Sequence, residues 1–181
     1  LDIIAKAQPP YNALIDTGAL ITGMSNYEVA KYLLLNGLPN VDGVVFLDQQ
    51  DRKMILVRDG LRVWPLAQCD INKSRRFAFY DQVHTTGMDI QHALTARAVL
   101  TLGKDMTFRD YAQGAFRMRG IGRGQTIELF IIPEILQLIK EHCGDHNNSP
   151  QKMLNNVSAW LVINSMRSET IQFNMLCEQS I

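Results

Sequence analysis

Short apolar runs alternate with longer amphipathic segments along most of the chain. Residues 13–16, 44–47, 76–80, 98–102 and 126–132 form runs of aliphatic and aromatic side chains with the length of buried strands. Between several of these runs lie segments whose apolar residues recur every three or four positions, as on one face of a helix. Strands that alternate with helices predict an α/β fold of three layers around a mainly parallel sheet.

Three of the helical segments have recognisable ends. Residues 26–36 follow Ser25, a good N-terminal cap, and precede Gly37, a good stop. A second helix opens at Pro133 and a long C-terminal helix opens at Pro150, because proline is well tolerated at the first helical position. The pattern therefore predicts helices after the first strand, after the last strand and at the C-terminal end.

One pair of strands interrupts the alternation. Residues 53–57 and 61–64 flank Asp59 and Gly60, a dipeptide typical of hairpin turns, and so predict an inserted β-hairpin. The resulting division of the chain is a lead-in of residues 1–12, an α/β lobe of residues 13–144 and a C-terminal helical extension of residues 145–181.

Composition and charge limit the function classes. A hydrophobic content of 46% and a charged content of 20% are ordinary for a globular domain, and a net charge of zero argues against coating nucleic acid non-specifically. No window approaches 18 apolar residues, so we expect no membrane partner. Three widely spaced cysteines favour a reducing compartment, the cytoplasm or the nucleus. The start at Leu1 suggests a piece of a longer protein.

The stretch from residue 81 to residue 124 concentrates the candidate chemistry. Gly87 and Asp89 lie in a loop after the strand 76–80, where a parallel sheet places its ligands. Glycine lets a backbone approach a ligand, and an aspartate can accept a hydrogen bond from a ribose hydroxyl or a metal-bound water. From residue 97 onward this stretch has six basic and two acidic residues, an excess that predicts a bound anion.

A helix predicted over residues 107–119 carries part of this charge. Arg109, Gln113 and Arg117 recur at intervals of four, with Arg119 just beyond, and we expect Arg117 and Arg119 to reach a phosphate. The opposite, buried stripe is predicted to consist of Phe108, Tyr111, Ala112, Ala115 and Met118.

Three other patterns leave alternatives open. Gly18 and Gly23 before Ser25 have the spacing of a phosphate-binding loop, but methionine replaces its lysine, which favours a plain turn before a capped helix. Cys69 and His84, with Asp89, could form a thiol nucleophile with its base, although a hydrogen-bonded core histidine is the simpler interpretation. His142, Cys143 and His146 form a cluster that favours a solvated helix end over a metal site, and we predict no metal site in the chain itself.

Two motifs in this order resemble the second RecA-like lobe of superfamily-two helicases and translocases. The run T-T-G-M-D-I looks like the fifth motif of that lobe, and residues 113–124 are similar to its sixth motif, Q-x-x-G-R-x-x-R. Gln113 and Arg117 match the pattern, Phe116 replaces its glycine, and Arg119 lies one position before its second arginine. The resemblance implies catalytic roles for Arg117 and Arg119, and a nucleotide-binding role for Gln113, Gly87 and Asp89.

A closer likeness over roughly residues 12–135 is to very large eukaryotic proteins grouped with ubiquitin thioesterases. The shared runs include L-I-D-T-G-A-L, F-Y-D-Q-V-H-T-T-G-M-D-I and T-L-G-K-D-M-T-F-R-D-Y-A-Q-G-A-F-R-M-R. The likeness implies one half of a helicase-like ATPase core that shares ATP and magnesium with an N-terminal RecA-like lobe, and that moves nucleic acid or protein. The alternatives are part of a ubiquitin-pathway cysteine hydrolase, using Cys69 and His84, and a non-catalytic interaction platform.

Overall fold

A seven-stranded sheet organises the part of the chain that the computed structural model describes, which is residues 1–85, 87–144 and 149–179. Its strands are, in chain order, β1 (Ala13–Ile15), β2 (Gly43–Leu47), β3 (Lys53–Val57), β4 (Arg62–Pro65), β5 (Arg76–Tyr80), β6 (Arg97–Thr101) and β7 (Thr126–Phe130). They lie in the order β4-β3-β2-β5-β1-β6-β7. The five strands from β2 to β7 in that order are parallel, and β3 and β4 form an antiparallel hairpin at one edge.

Helices cover both faces of the sheet. They are α1 (Asp2–Ala5), α2 (Asn26–Asn36), α3 (Phe108–Ala115), α4 (Pro133–Cys143) and α5 (Pro150–Gln179). Side chains of α1 and α2 belong to the core on one face, and those of α3, α4 and α5 belong to the core on the other. The predicted α/β class, with a mainly parallel sheet, an inserted hairpin and a long C-terminal helix, is confirmed.

The alternation of side chains along β5 shows how the sequence builds both cores. Phe77 and Phe79 point into the core beneath α1 and α2, whereas Ala78 and Tyr80 point into the core beneath α3, α4 and α5. Successive side chains of a strand face opposite sides of a sheet, so a strand covered on both sides has no polar position. This explains why the run R-F-A-F-Y has no polar residue after its first arginine.

The turn from β1 to α2 follows the simpler of the two predicted interpretations. Ser25 accepts a hydrogen bond from the amide of Glu28, and the Glu28 carboxylate accepts one from the amide of Ser25, which is a complete capping box. Gly18 serves a close approach: a Cβ there would lie 2.6 Å from the carbonyl carbon of Leu102. The predicted bounds of α2 are confirmed.

The hairpin is tied to α2 by one side chain that the sequence does not single out. The guanidinium of Arg58, at the end of β3, donates hydrogen bonds to the carbonyl oxygens of Leu34 at 2.8 Å, Gly37 at 3.1 Å and Leu38 at 2.8 Å. Its Nε also donates to the carbonyl of Val41 at 2.9 Å. A cation at the C-terminal end of a helix satisfies carbonyls that have no partner within the helix.

The arginine-bearing helix differs from the prediction in length and in its faces. It ends at Ala115 rather than near residue 119, so Arg117 and Arg119 lie in the irregular segment that follows. Phe108 is 46% exposed and does not join the buried stripe, whereas Arg117 is buried. The burial of Arg117 follows from the early end of α3, because the spacing no longer describes a helix face beyond Ala115. Phe108 is the first residue of α3, and its exposure is a separate departure from the predicted stripe.

The terminal segments pack onto the lobe. In the predicted lead-in, Ile4 and Ala5 of α1 are buried against α2. In the predicted extension, Trp160 and Leu161 of α5 are buried in the same core as the residues of α3 and α4. In the described part of the chain no helix combines the length and the apolar character that crossing a membrane requires.

Candidate functional site

A polar cleft of about 430 Å³ opens at the carboxyl ends of the three central strands. The loop after β1 contributes Thr17 and Gly18, the turn after β5 contributes Gln82 and Thr85, and the loop after β6 contributes Lys104. Side chains of α3 close one side. The predicted candidate Gln113 is among them.

The cleft lies where the chain leaves neighbouring strands in opposite directions. From β1 the chain passes to α2 on one face, whereas from the adjacent β6 it passes to α3 on the other face. Loops that diverge in this way leave a crevice between them, which is the usual ligand site of an open parallel sheet. This position follows from the strand order, which the sequence alone did not provide.

Asp16 holds the loop after β1 in a fixed shape. This buried carboxylate accepts hydrogen bonds from the amides of Leu20 and Ile21, each at 3.0 Å, and from the hydroxyl of Thr101 at 2.7 Å. The amide of Gly18 donates in turn to Thr101 Oγ1 at 2.9 Å. Asp16 was not among the residues predicted for the site, although an aspartate that ends an apolar run two residues before a glycine was a usable signal.

Thr17 lines the cleft, and its hydroxyl group is the point of interest. Its side chain is 7% exposed, and its Oγ1 has no hydrogen-bond partner among the described residues. A Cβ built on Gly114 of α3 would lie 2.5 Å from this oxygen. A buried hydroxyl without a partner costs free energy, and this oxygen packs closely against α3 at the side of the cleft.

A second pocket, which we call the arginine pocket, has a volume of about 490 Å³. Its lining includes Lys73, Asp89, Leu94, Arg119 and Arg123. Lys73 precedes β5 and Leu94 precedes β6, so this pocket lies toward the amino ends of those strands and not at the carboxyl-end cleft. Arg119 Nε lies 3.3 Å from Asp89 Oδ1, and both side chains are more than half exposed.

Arg117 links the loop after β5 to the segment that follows α3. Its guanidinium donates a short hydrogen bond to the carbonyl of Met88, and its Nε is 3.4 Å from the carbonyl oxygen of Gln113. The side chain is 8% exposed. The expected position of Arg117 on a free helix face is therefore wrong, because the residue lies beyond the end of α3 and points inward.

The site residues that the sequence predicted thus lie in separate parts of the structure. Asp89 and Arg119 meet in the arginine pocket, toward the amino ends of β5 and β6, so their expected position at the carboxyl ends of the strands is wrong. Gln113 lines the carboxyl-end cleft. Gly87 has a φ of +75°, and a Cβ there would meet no atom within 4 Å, so the left-handed backbone and not crowding favours glycine.

Two rings at the arginine pocket, the partly buried His92 in its lining and the buried Tyr80 beside it, stay uncharged at neutral pH. Enclosure of the ring lowers the pKa of His92 to about 4, and burial raises the pKa of the Tyr80 phenol. The Tyr80 hydroxyl and His92 Nε2 are 3.0 Å apart. The charge of the pocket therefore comes from its lysine, its two arginines and Asp89.

The structure does not bring Cys69 and His84 together. Cys69 precedes β5 and His84 follows it, and a five-residue strand spans about 13 Å from its first residue to its last. His84 contacts the carboxylates of Asp81 and Asp51, and the third residue of the hypothetical set, Asp89, pairs with Arg119.

The cluster at the end of α4 is used for packing. His142 Nδ1 is 2.7 Å from the carbonyl oxygen of Leu138, and the Cys143 thiol contacts the carbonyl of Asn156 at 3.4 Å. Burial raises the pKa of the Cys143 thiol. His146 lies outside the described residues. Within those residues no group of three or more histidine, cysteine, aspartate or glutamate side chains is arranged to hold a metal ion.

Comparisons of this chain with protein-family models, with curated proteins and with solved structures found no match.

Proposed function

We propose that this domain is the second, arginine-bearing lobe of a helicase- or translocase-like ATPase, of the RecA-like type, and that it is inactive alone. The observation that carries the proposal is the contact between Asp89 and Arg119 in an open pocket. It joins the loop after β5 to the segment after α3, the two parts of the chain in which the sequence motifs lie.

The charge of the arginine pocket suits a polyphosphate. Lys73, Arg119 and Arg123 contribute three positive charges and Asp89 one negative charge, a formal excess of two. All four residues are exposed. Guanidinium groups form paired hydrogen bonds with phosphate oxygens, and a carboxylate between them accepts a hydrogen bond from a ribose hydroxyl. The residues present therefore fit ATP, with Arg119 and Arg123 as the phosphate contacts.

In this arrangement Arg117 positions the loop instead of touching the nucleotide. Its buried guanidinium holds the carbonyl of Met88, the residue before Asp89. Magnesium would bind together with the nucleotide, and a first lobe of the parent chain would hold the magnesium ion. ATP supplies the free energy, and this lobe supplies phosphate and ribose contacts that form fully only when the two lobes close.

Exposed apolar side chains around the arginine pocket indicate that a second protein surface packs against it. Leu94, in the pocket wall, is 84% exposed, and Ile121, between the two pocket arginines, is 48% exposed. Phe116, just before the buried Arg117, is 61% exposed. Large apolar side chains that rim a charged pocket are typical of a surface that another protein covers. A first lobe that shares the nucleotide would cover them.

The carboxyl-end cleft is the proposed contact for the substrate that the ATPase moves. Gln113 lines this cleft, and α3 leads from there to Arg117 and the arginine pocket. A shift of α3 would therefore affect both sites. Nucleic acid and protein stay open as the substrate.

Titration of the chain with magnesium ATP and with inorganic tripolyphosphate at low salt tests the proposal. We expect weak binding of both, because only one lobe is present, and a loss of about tenfold or more in affinity for Arg119→Ala. Arg109→Ala, an exposed arginine of α3 that does not line the pocket, is the matched control and keeps the affinity. Equal affinities of the two variants would contradict the proposal.

A non-catalytic interaction platform is the second candidate, which the exposed apolar rim also favours. ATP turnover of the full-length parent separates the two. Arg119→Ala abolishes turnover if the pocket takes part in hydrolysis and leaves it unchanged if the lobe only binds a partner.

A further inference from the structure

His84 connects two segments that are far apart in the sequence. Its Nδ1 forms a short hydrogen bond with Asp81, which directly follows β5, and its Nε2 lies 2.8 Å from Oδ1 of Asp51. Asp51 belongs to the turn between β2 and β3. The imidazole is 11% exposed, so it is held between the two segments and does not extend into solvent.

The chemistry of the ring fixes its charge in this arrangement. A neutral imidazole has one N–H donor and one acceptor nitrogen, whereas ionised carboxylates only accept hydrogen bonds. With a carboxylate oxygen at each nitrogen, a neutral His84 would leave one oxygen facing a lone pair. Both contacts are satisfied together only when the ring carries two protons and a positive charge.

The groups around His84 support the charged form. Burial lowers the pKa of the ring, but the hydrogen bonds and charges of Asp51 and Asp81 outweigh burial and hold that pKa above its ordinary value. Asp48, in the same turn as Asp51, pairs with Arg52 at 2.7 Å.

Three further elements meet near the ring. The start of α2 lines the same 400 Å³ pocket as His84 with the uncharged residues Ser25, Asn26 and Tyr27. The charged residues of the neighbouring carboxyl-end cleft, which Thr85 also lines, are Lys104 and Asp105 after β6 and Asp110 of α3.

We propose that His84 is a proton-operated latch that joins the β2–β3 turn to the turn of residues 82–85. Loss of the proton releases one carboxylate, and Asp51 is the one released because its side chain is 68% exposed, against 24% for Asp81. Gln82 and Thr85 of the latched turn line the carboxyl-end cleft, so release alters the shape of that cleft.

The sign of the pH dependence follows from the raised pKa. The latch contributes its full stabilisation below the unfolded pKa of histidine, about 6.5, and loses it as the pH rises through the higher folded pKa. The latch is thus closed in mildly acidic solution and opens as the solution becomes alkaline.

An NMR titration of the histidine ring signals and backbone amides of the whole chain tests the latch. We expect His84 to titrate above the ordinary histidine value, and the amides of Gln82, Thr85 and Asp51 to shift with the same midpoint. Asp51→Asn removes one carboxylate and lowers the midpoint. Asp59→Asn, in the exposed hairpin turn, is the control and leaves the midpoint unchanged.

The opposite results would each overturn the inference. A His84 midpoint at or below the ordinary value would show that the ring does not bind both carboxylates. The same conclusion follows if Asp51→Asn leaves the His84 midpoint unchanged. It also follows if the amide shifts of Gln82 and Thr85 do not share the midpoint of the His84 ring signals. These signals require no nucleotide, so the latch is tested independently of the proposed ATPase function.

Discussion

At the scale of single residues, close contacts explain why glycine occupies two positions beside the carboxyl-end cleft. Gly114 is the second-last residue of α3, and the hydroxyl of Thr17 lies 2.5 Å from the point where a Cβ would be. Gly18 likewise allows the loops after β1 and β6 to touch. Both glycines therefore preserve the narrow space between neighbouring loops at the carboxyl-end cleft.

Gly114→Ala should destabilise the protein by about 1–3 kcal/mol, because the added methyl group would lie 2.5 Å from Thr17 Oγ1. Urea unfolding of both proteins measures the difference in the free energy of unfolding. In a Thr17→Ala background the oxygen is absent, so we expect the penalty to shrink or disappear. A penalty of equal size in both backgrounds would show that another contact is responsible.

Residue-level chemistry was only partly predictable. Asp89 and Arg119 do contact each other, but toward the amino ends of β5 and β6, because the long segment between β5 and β6 returns across the sheet before β6 begins. The sequence placed Arg117 wrongly, because α3 ends at Ala115, before that residue. The unsatisfied Thr17 and the Asp51–His84–Asp81 contact depend on distant segments, which residue spacing does not report.

At the scale of elements, local signals were sufficient for most boundaries. The capping serine defines α2, Pro133 opens α4, and continuous apolar runs define the central strands. The helix bearing the arginines was predicted too long, because its apolar spacing continues into a segment with glycines at 120, 122 and 124. The attachment of the hairpin through Arg58 could not be predicted, because its four carbonyl partners belong to another part of the chain.

Arg58→Lys should lower the free energy of unfolding by about 1–3 kcal/mol, because an ammonium group cannot reach all the carbonyls that the guanidinium satisfies. Chemical denaturation of the two proteins measures the difference. Arg62→Lys, at the exposed ion pair with Asp59, is the control and should change stability by less than about 0.5 kcal/mol. Equal effects would mean that the Arg58 contacts contribute little.

At the scale of the whole molecule, the order of the strands decides what the domain can do. The central β1 lies between β5 and β6, so the loops after all three strands border one cleft. Helix α5 stabilises this arrangement from outside: the side-chain amide of Asn164 donates to the carbonyl of Met106 at 3.0 Å, just before α3 begins. Beyond residue 168 every described residue of α5 is exposed.

The two halves of α5 should therefore contribute very differently to stability. Trp160→Ala removes a fully buried ring and should cost about 3–5 kcal/mol. Ending the chain after Ser168 removes exposed residues and should change the free energy of unfolding by less than about 0.5 kcal/mol. A large loss on truncation, measured by thermal or urea unfolding, would show that the outer half packs against the body.

The most direct test of the central claim is a map of amide chemical shifts on addition of magnesium ATP to the isotope-labelled chain at low salt. We expect shifts concentrated at Asp89, Arg119 and Arg123, and their loss in Arg119→Ala. Shifts confined to other surfaces, or shifts at the arginine pocket that persist in Arg119→Ala, would contradict the claim.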